Sequence, residues 1–160
     1  MSIEKVRDYF RPLGREQDIL EFPVSSATVE LAAQAVGVIP ARIAKTLSFL
    51  VDGGCVLIVT AGDAKIDNSK YKAMFHAKAK MLSAEQVSQF TGHAIGGVCP
   101  FANPEGVKTY LDVSMKRFDT IFPAAGSSNS AIELNCDELE EYSHSLGWID
   151  VCKGWQDAEV

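Results

Sequence analysis

The sequence predicts an α+β fold built on a mixed, strongly curved sheet, and three observations carry that prediction. Apolar, strand-like runs outnumber helical patterns and often follow one another directly, which a doubly wound α/β chain would not do. The run Cys55 to Ala61 is apolar at nearly every position, the mark of a central strand covered on both faces. It is joined to the run Thr46 to Val51 by Asp52-Gly53-Gly54, so the two read as a hairpin. The 160 residues are expected to form one domain, 1–160, because no repeat, low-complexity tract or linker divides them.

The elements follow from local pattern. Ile3, Val6, Phe10 and Leu13 recur at helical spacing behind a capping Ser2, with Gly14 as terminator. Ile19 to Val24 reads as a short edge strand ending at Pro23. Ser25 to Thr28 offers capping hydroxyls before the stripe Val29, Ala32, Ala33 and Val36, which stops at Gly37. Pro40 opens a brief helix from which Lys45 emerges, at the mouth of the sheet. Asp67 begins a helix, Ala79 to Met81 pairs as a short strand, and Ser83 with Gln86 forms a capping box for a helix that runs to Gly92. Beyond it come strands over Lys108 to Val113, Thr120 to Ala124 and Ser130 to Leu134, the last with alternating burial. A helix from Asp137 through Leu146, closed by Gly147, precedes an edge strand at Trp148 to Val151.

Composition excludes several classes. No apolar stretch is long enough to cross a bilayer and none follows a basic leader, so a cytoplasmic protein without membrane contact is expected. The four cysteines are widely spaced, with no C-x-x-C and no histidine at ligand spacing, so free thiols are expected and no metal site. A formal charge of −6 argues against broad, non-specific nucleic-acid binding but permits a local contact, for which Lys65, Lys70, Lys72, Lys78 and Lys80 form a basic cluster or an ordinary solvated face.

The stretch Thr91 to Phe101 holds the strongest local signal. Gly96 and Gly97 followed by Pro100 can continue neither a helix nor a central strand, which leaves a loop whose exposed backbone N–H groups could bind an oxyanion. A structural turn is the competing reading. Lys45, among Ile43, Leu47 and Phe49, is either a snorkelling lysine or a cation that grips a phosphate or carbonyl oxygen. Cys99 invites a nucleophile reading with His93 as base, against that of a small tolerated loop residue. No G-x-S-x-G elbow, P-loop or dinucleotide-binding glycine pattern occurs.

Gly37, Pro40 and Lys45-Thr46-Leu47, followed by Thr91-Gly92 and Gly96-Gly97-Val98-Cys99-Pro100, together resemble the YbaK/prolyl-tRNA-synthetase-associated editing-domain family of aminoacyl-tRNA deacylases. The similarity continues through Tyr110-Leu111-Asp112 and Ala125-Gly126-Ser127 to Ile132-Glu133-Leu134. It implies a barrel-like mixed sheet flanked by helices, and a freestanding domain that hydrolyses the ester of mischarged tRNA without metal or cofactor. The chemistry implied uses the substrate's own ribose hydroxyl and a water.

Lys45 with Gly97 and Val98 is the catalytic set so implied, the lysine near the terminal phosphate or scissile ester. Gly96, Cys99, Pro100 and Phe101 are expected around the aminoacyl group, with Phe22, Thr28, Thr46 and His93. Asp112, Gly126 and Ser127 complete the substrate-binding set. Thr46 matches the branch that removes cysteine from tRNA(Pro) better than the alanine-editing branch, which carries asparagine there, while Phe22 stands where a tyrosine is frequent. The implied partners are the aminoacyl-tRNA acceptor end and prolyl-tRNA synthetase. A non-catalytic tRNA- or synthetase-binding module of the same fold is the alternative. Side chains added at Gly96 or Gly97 are expected to block substrate and leave the fold intact.

Overall fold

The computed structural model of the chain describes residues 2–93 and 96–156; Ala94 and Ile95 of the glycine-proline loop, and the side chain of Ser2 expected as a cap, lie outside the description. Helix α1 (Ser2–Phe10) buries Val6 and Phe10 one turn apart, and Phe10 meets Phe101 and Tyr142 edge-on. Strand β1 (Ile19–Glu21) leads to α2 (Val29–Val36), which Thr28 caps by accepting from the Leu31 amide at 3.1 Å and Gly37 ends in the left-handed region. Ala32 and Ala33 of α2 pack on Ile43 and Phe122.

Strand β2 (Ile43–Val51) begins three residues earlier than the expected Thr46. Pro40–Arg42 makes only one 3-10 turn, and Ile43 and Ala44 already pair in parallel with Phe122 and Pro123 of β6 (Phe122–Pro123). Lys45 is therefore a strand residue, opposite Thr60. The hairpin turn is Asp52-Gly53, both with positive φ, and Gly54 opens strand β3 (Gly54–Ala61).

Strand β3 is central, as expected. It pairs antiparallel with β2 and parallel with β5 (Lys108–Asp112), to which β8 (Trp148–Ile149) adds in parallel, so the mixed sheet runs β6-β2-β3-β5-β8. The expected strands at Thr120 to Ala124 and Ser130 to Leu134 shrink to β6 and β7 (Ser130–Ile132), linked by an Ile121–Leu134 bridge. Strand β7 pairs with β1 and is buried throughout rather than alternately. An unforeseen ribbon joins β4 (Lys65–Ile66) to β9 (Cys152–Lys153).

Three further helices cover the sheet: α3 (Asn68–Phe75), capped by Asp67, α4 (Ala84–Thr91) and α5 (Cys136–Ser143). The Ser83–Gln86 capping box is present at α4. Helix α5 ends at His144 rather than reaching Leu146, because the Leu146 amide donates to Thr109 and the Gly147 carbonyl accepts from Leu111, drawing the chain in beside β5. Among the described residues no helix is long and apolar enough to cross a membrane.

Candidate active site

A cavity of about 370 Å³ opens between β2, the start of α2, the segment leading into α4 and the β6–β7 region. Its walls bring together Thr28, Lys45, Thr46, Gly96 and Val98, which lie far apart in the chain. The volume sits at the lower end of the about 300–1,000 Å³ typical of ligand sites. Lining it as well are residues that the sequence did not single out, among them Ser26, Ser48, Leu82, Val87, Phe122 and Ser130. Ser48 had a signal, since it follows Thr46 at the two-residue period of a strand. The others come from separate segments, and no local pattern marks them.

Lys45 is held by a turn. Its ammonium donates to the Ala64 carbonyl at 2.5 Å and lies 3.4 Å from that of Gly62, which leaves one of its three donors uncommitted among the described residues. Desolvation holds its pKa below the ordinary lysine value, opposed by the nearby Cys152 and Asp63. The turn itself is fastened from both sides. Asp63 takes a two-pronged grip from Arg117, at 2.6 and 3.0 Å, and Arg117 stacks on Trp155. The Ala61 amide donates to Ser114 Oγ at 3.1 Å, and Gly62 packs so closely on the Pro40 carbonyl that no Cβ would fit. Beside Lys45, the buried Thr46 hydroxyl has no protein partner among the described residues.

The glycine loop divides by role. Gly96, at φ +89°, lines the cavity with Val98. Gly97 instead lies buried against the Gly126–Ser127 backbone, where an added Cβ would stand 3.0 Å from Ser127 Cα. The expectation that both glycines tolerate side chains is therefore corrected: Gly96 would be strained by its φ, and Gly97 would displace backbone. Gly126 and Ser127 buttress the loop, and Ser127 Oγ lies 2.7 Å from Ser130 Oγ on the cavity wall.

The remaining expected site residues are placed outside the cavity lining. Cys99 is fully buried, and desolvation pushes its thiol up to about 12. His93 Nε2 lies 3.1 Å from the Phe101 carbonyl, to which it must donate, and only 3.6 Å from Cys99 Sγ. A nitrogen that donates cannot also take the thiol proton, so the pair is not poised as nucleophile and base. Phe101 meets Phe10 edge-on in the core, and Pro100 borders a separate cavity with Tyr9 and His144. Asp112 is buried, its carboxylate accepting from the Ser114 and Val151 amides at 2.9 Å each. Phe22 exchanges hydrogen bonds with Asn129 and so steadies the turn after β6.

Residues 24–142 match the family model described as the aminoacyl-tRNA editing domain. The chain belongs to that family. Two kinds of protein are among the relatives of this editing domain. One is the uncharacterized protein YwhH of Bacillus subtilis (strain 168), 57% identical over 157 residues, a match spanning 98% of this chain and 100% of YwhH. The other is the proline–tRNA ligases, such as that of Bacillus licheniformis, 26% identical over 79% of this chain but only 22% of the ligase. Among solved structures, a candidate trans-editing enzyme for prolyl tRNA synthetase superposes with a TM-score of 0.85 at 27% identity, covering 96% of this chain and 98% of that one. The mixed α+β architecture of the editing domain is thus shared with that structure.

Proposed function

We propose that this editing domain hydrolyses, in trans, the ester that joins a wrongly attached amino acid to tRNA, with Cys-tRNA(Pro) or Ala-tRNA(Pro) as the type of substrate. The observation that carries the reading is the meeting of Lys45, Thr46, Gly96 and Val98 in one small cavity. The similarity to the candidate trans-editing enzyme for prolyl tRNA synthetase supports action in trans. The partner is the acceptor end of the aminoacyl-tRNA, presented by prolyl-tRNA synthetase or free.

Chemically, the ester is already activated, so orientation and charge stabilisation supply most of what is required. The Lys45 ammonium, with a donor to spare, meets the terminal phosphate or the ester oxygen. From the glycine loop, Gly96 and Val98 face the aminoacyl group, and the Val98 amide serves the oxyanion. Water adds to the carbonyl carbon, the carbon–oxygen bond to the ribose breaks, and the neighbouring ribose hydroxyl relays the water's proton to the leaving oxygen. The products are the free amino acid and tRNA with both terminal hydroxyls restored. Thr46, beside Lys45 in the cavity lining, reads the aminoacyl side chain.

Deacylation of a panel of charged tRNAs tests the proposal. Wild-type protein is expected to release one small amino acid preferentially, and Lys45→Ala to lose about 10²–10³-fold in turnover, as removal of one electrostatic donor does elsewhere. Tight binding without turnover across the panel would replace the enzyme reading with that of a binding module.

A further inference from the structure

A cavity of about 370 Å³ is too small for the polyanion that stands behind an aminoacyl ester. We infer that the segment from Lys65 to Lys80 is the track on which the phosphate backbone of the acceptor stem lies, an inference that rests on the reading of the cavity as an aminoacyl-ester site. The segment carries five lysines against a single carboxylate, Asp67, in a chain of formal charge −6. Asp67 is engaged as the cap of α3, accepting from the Lys70 amide at 3.0 Å, and Lys70 pairs with Asp150. Lys65, Lys72, Lys78 and Lys80 are exposed and form no ion pair among the described residues.

Both ends of the segment are anchored at the site. Lys65 follows directly on Ala64, whose carbonyl holds the Lys45 ammonium. At the other end, the Lys80 carbonyl accepts from Leu50 at 2.8 Å and the Leu82 amide donates to Ser48 at 3.1 Å, which fastens residues 80–82 to β2, the strand that carries Lys45 and Thr46. Met81 and Leu82 then form part of the cavity wall. A basic run fastened in this way leads away from the place where the terminal phosphate would sit.

A second observation is a cost that an anion would relieve. The β4–β9 ribbon sets Lys65 directly opposite Lys153, both exposed, and like charges facing across a strand pair repel. Lys65 also stands within electrostatic range of Lys45. Closely spaced cations that outnumber their neighbouring carboxylates match the regular charge of a nucleic-acid backbone better than the scattered carboxylates of a protein surface. This localised track is compatible with the acidic remainder of the chain, which repels RNA elsewhere and so favours one docking direction.

Fluorescence anisotropy of an uncharged acceptor-stem hairpin RNA with a single-stranded 3′ end tests the track directly. Lys78→Ala/Lys80→Ala is expected to bind about tenfold more weakly at about 0.1 M salt, with the slope of log affinity on log salt shallower by about 1.5 to 2. The charge-matched Arg11→Ala/Lys116→Ala pair, in the turns after α1 and β5, should bind as wild type does. Equal binding by both variants, equal loss in both, or no binding by wild type even at low salt would overturn the inference, the last pointing to an acidic protein as occupant. In deacylation, the Lys78/Lys80 variant should raise KM for full-length aminoacyl-tRNA and leave an aminoacyl-adenosine ester unaffected; equal loss on both substrates also overturns it. Lysine-dependent hairpin binding by a wild-type protein that cleaves no aminoacyl ester would uphold the track while refuting the reading of the cavity.

Discussion

Replacing Gly62 by alanine would place a Cβ 2.1 Å from the Pro40 carbonyl oxygen and 2.7 Å from Val29 Cγ1. The valine can rotate away, but the Pro40 oxygen is backbone within the turn that launches β2, so either that turn or the Gly62–Ala64 turn must move by more than 1 Å to reach the 3.4 Å of ordinary contact. Overpacking of this kind costs about 1–3 kcal/mol, partly offset by the about 0.4–1 kcal/mol that alanine removes from unfolded-chain freedom. With a mid-range net cost of about 1.3 kcal/mol, at about 2–4 °C per kcal/mol for a domain of this size, Tm should fall by roughly 3–5 °C. The displaced turn is the one whose carbonyls hold the Lys45 ammonium, and a misplacement of about 1 Å can cost about 10²-fold in rate. Thermal melts and deacylation kinetics on the same preparation check both effects. A variant that melts with wild type and turns over normally would refute the close packing, and one that melts lower but keeps full turnover would show that the turn does not position Lys45.

Cys99→Ala should keep deacylation within about twofold and cost about 1 kcal/mol, the scale of one buried group, in urea melts; inactivity in a folded variant would restore the thiol mechanism. Iodoacetamide at pH 8 should spare Cys55 and Cys99 in the native protein, since burial pushes their thiols up to about 11 and about 12, and mass spectrometry of labelled peptides reports this. Burial also holds His93 below its ordinary value of 6.5. Between 6.5 and that lower native value the unfolded chain binds the extra proton, so stability falls as pH falls, by up to about 1.4 kcal/mol per pH unit. Urea midpoints of His93→Gln between pH 7.5 and 5 should decline less steeply than those of wild type, and parallel curves would count against the buried neutral imidazole. Ser83→Ala removes half of the α4 capping box and should cost about 1 kcal/mol by denaturant melts.

Helix caps, the hairpin and the central strand were legible because each is written in a few adjacent residues. Thr28 and Gly37 bracket α2, Ser83 and Gln86 open α4, and Asp52-Gly53 turns β2 into β3 as the local pattern implies. Errors arose where a distant partner decided the outcome. Strand β2 starts early because β6 pairs with its first residues, and α5 stops early because Thr109 and Leu111 bind the chain beyond it. In the site, Lys45, Thr46, Gly96 and Val98 were recognisable through their joint resemblance to an editing family, and the cavity brings them together. Cys99, Phe101 and Asp112, expected at the substrate from the same resemblance, are turned by the fold into the core.

By itself, the sequence determined where the chain turns, which runs must be buried and which family the chain resembles, since backbone preference, hydrophobic period and motif spacing are local or collinear properties. Tertiary structure alone decided which glycine faces the cavity, which donors hold the Lys45 ammonium and which thiol is sealed away. Those outcomes depend on contacts such as Gly97 on Ser127 or Asp63 on Arg117, between residues some 30 to 54 positions apart, whose energies exist only once the sheet has assembled around them.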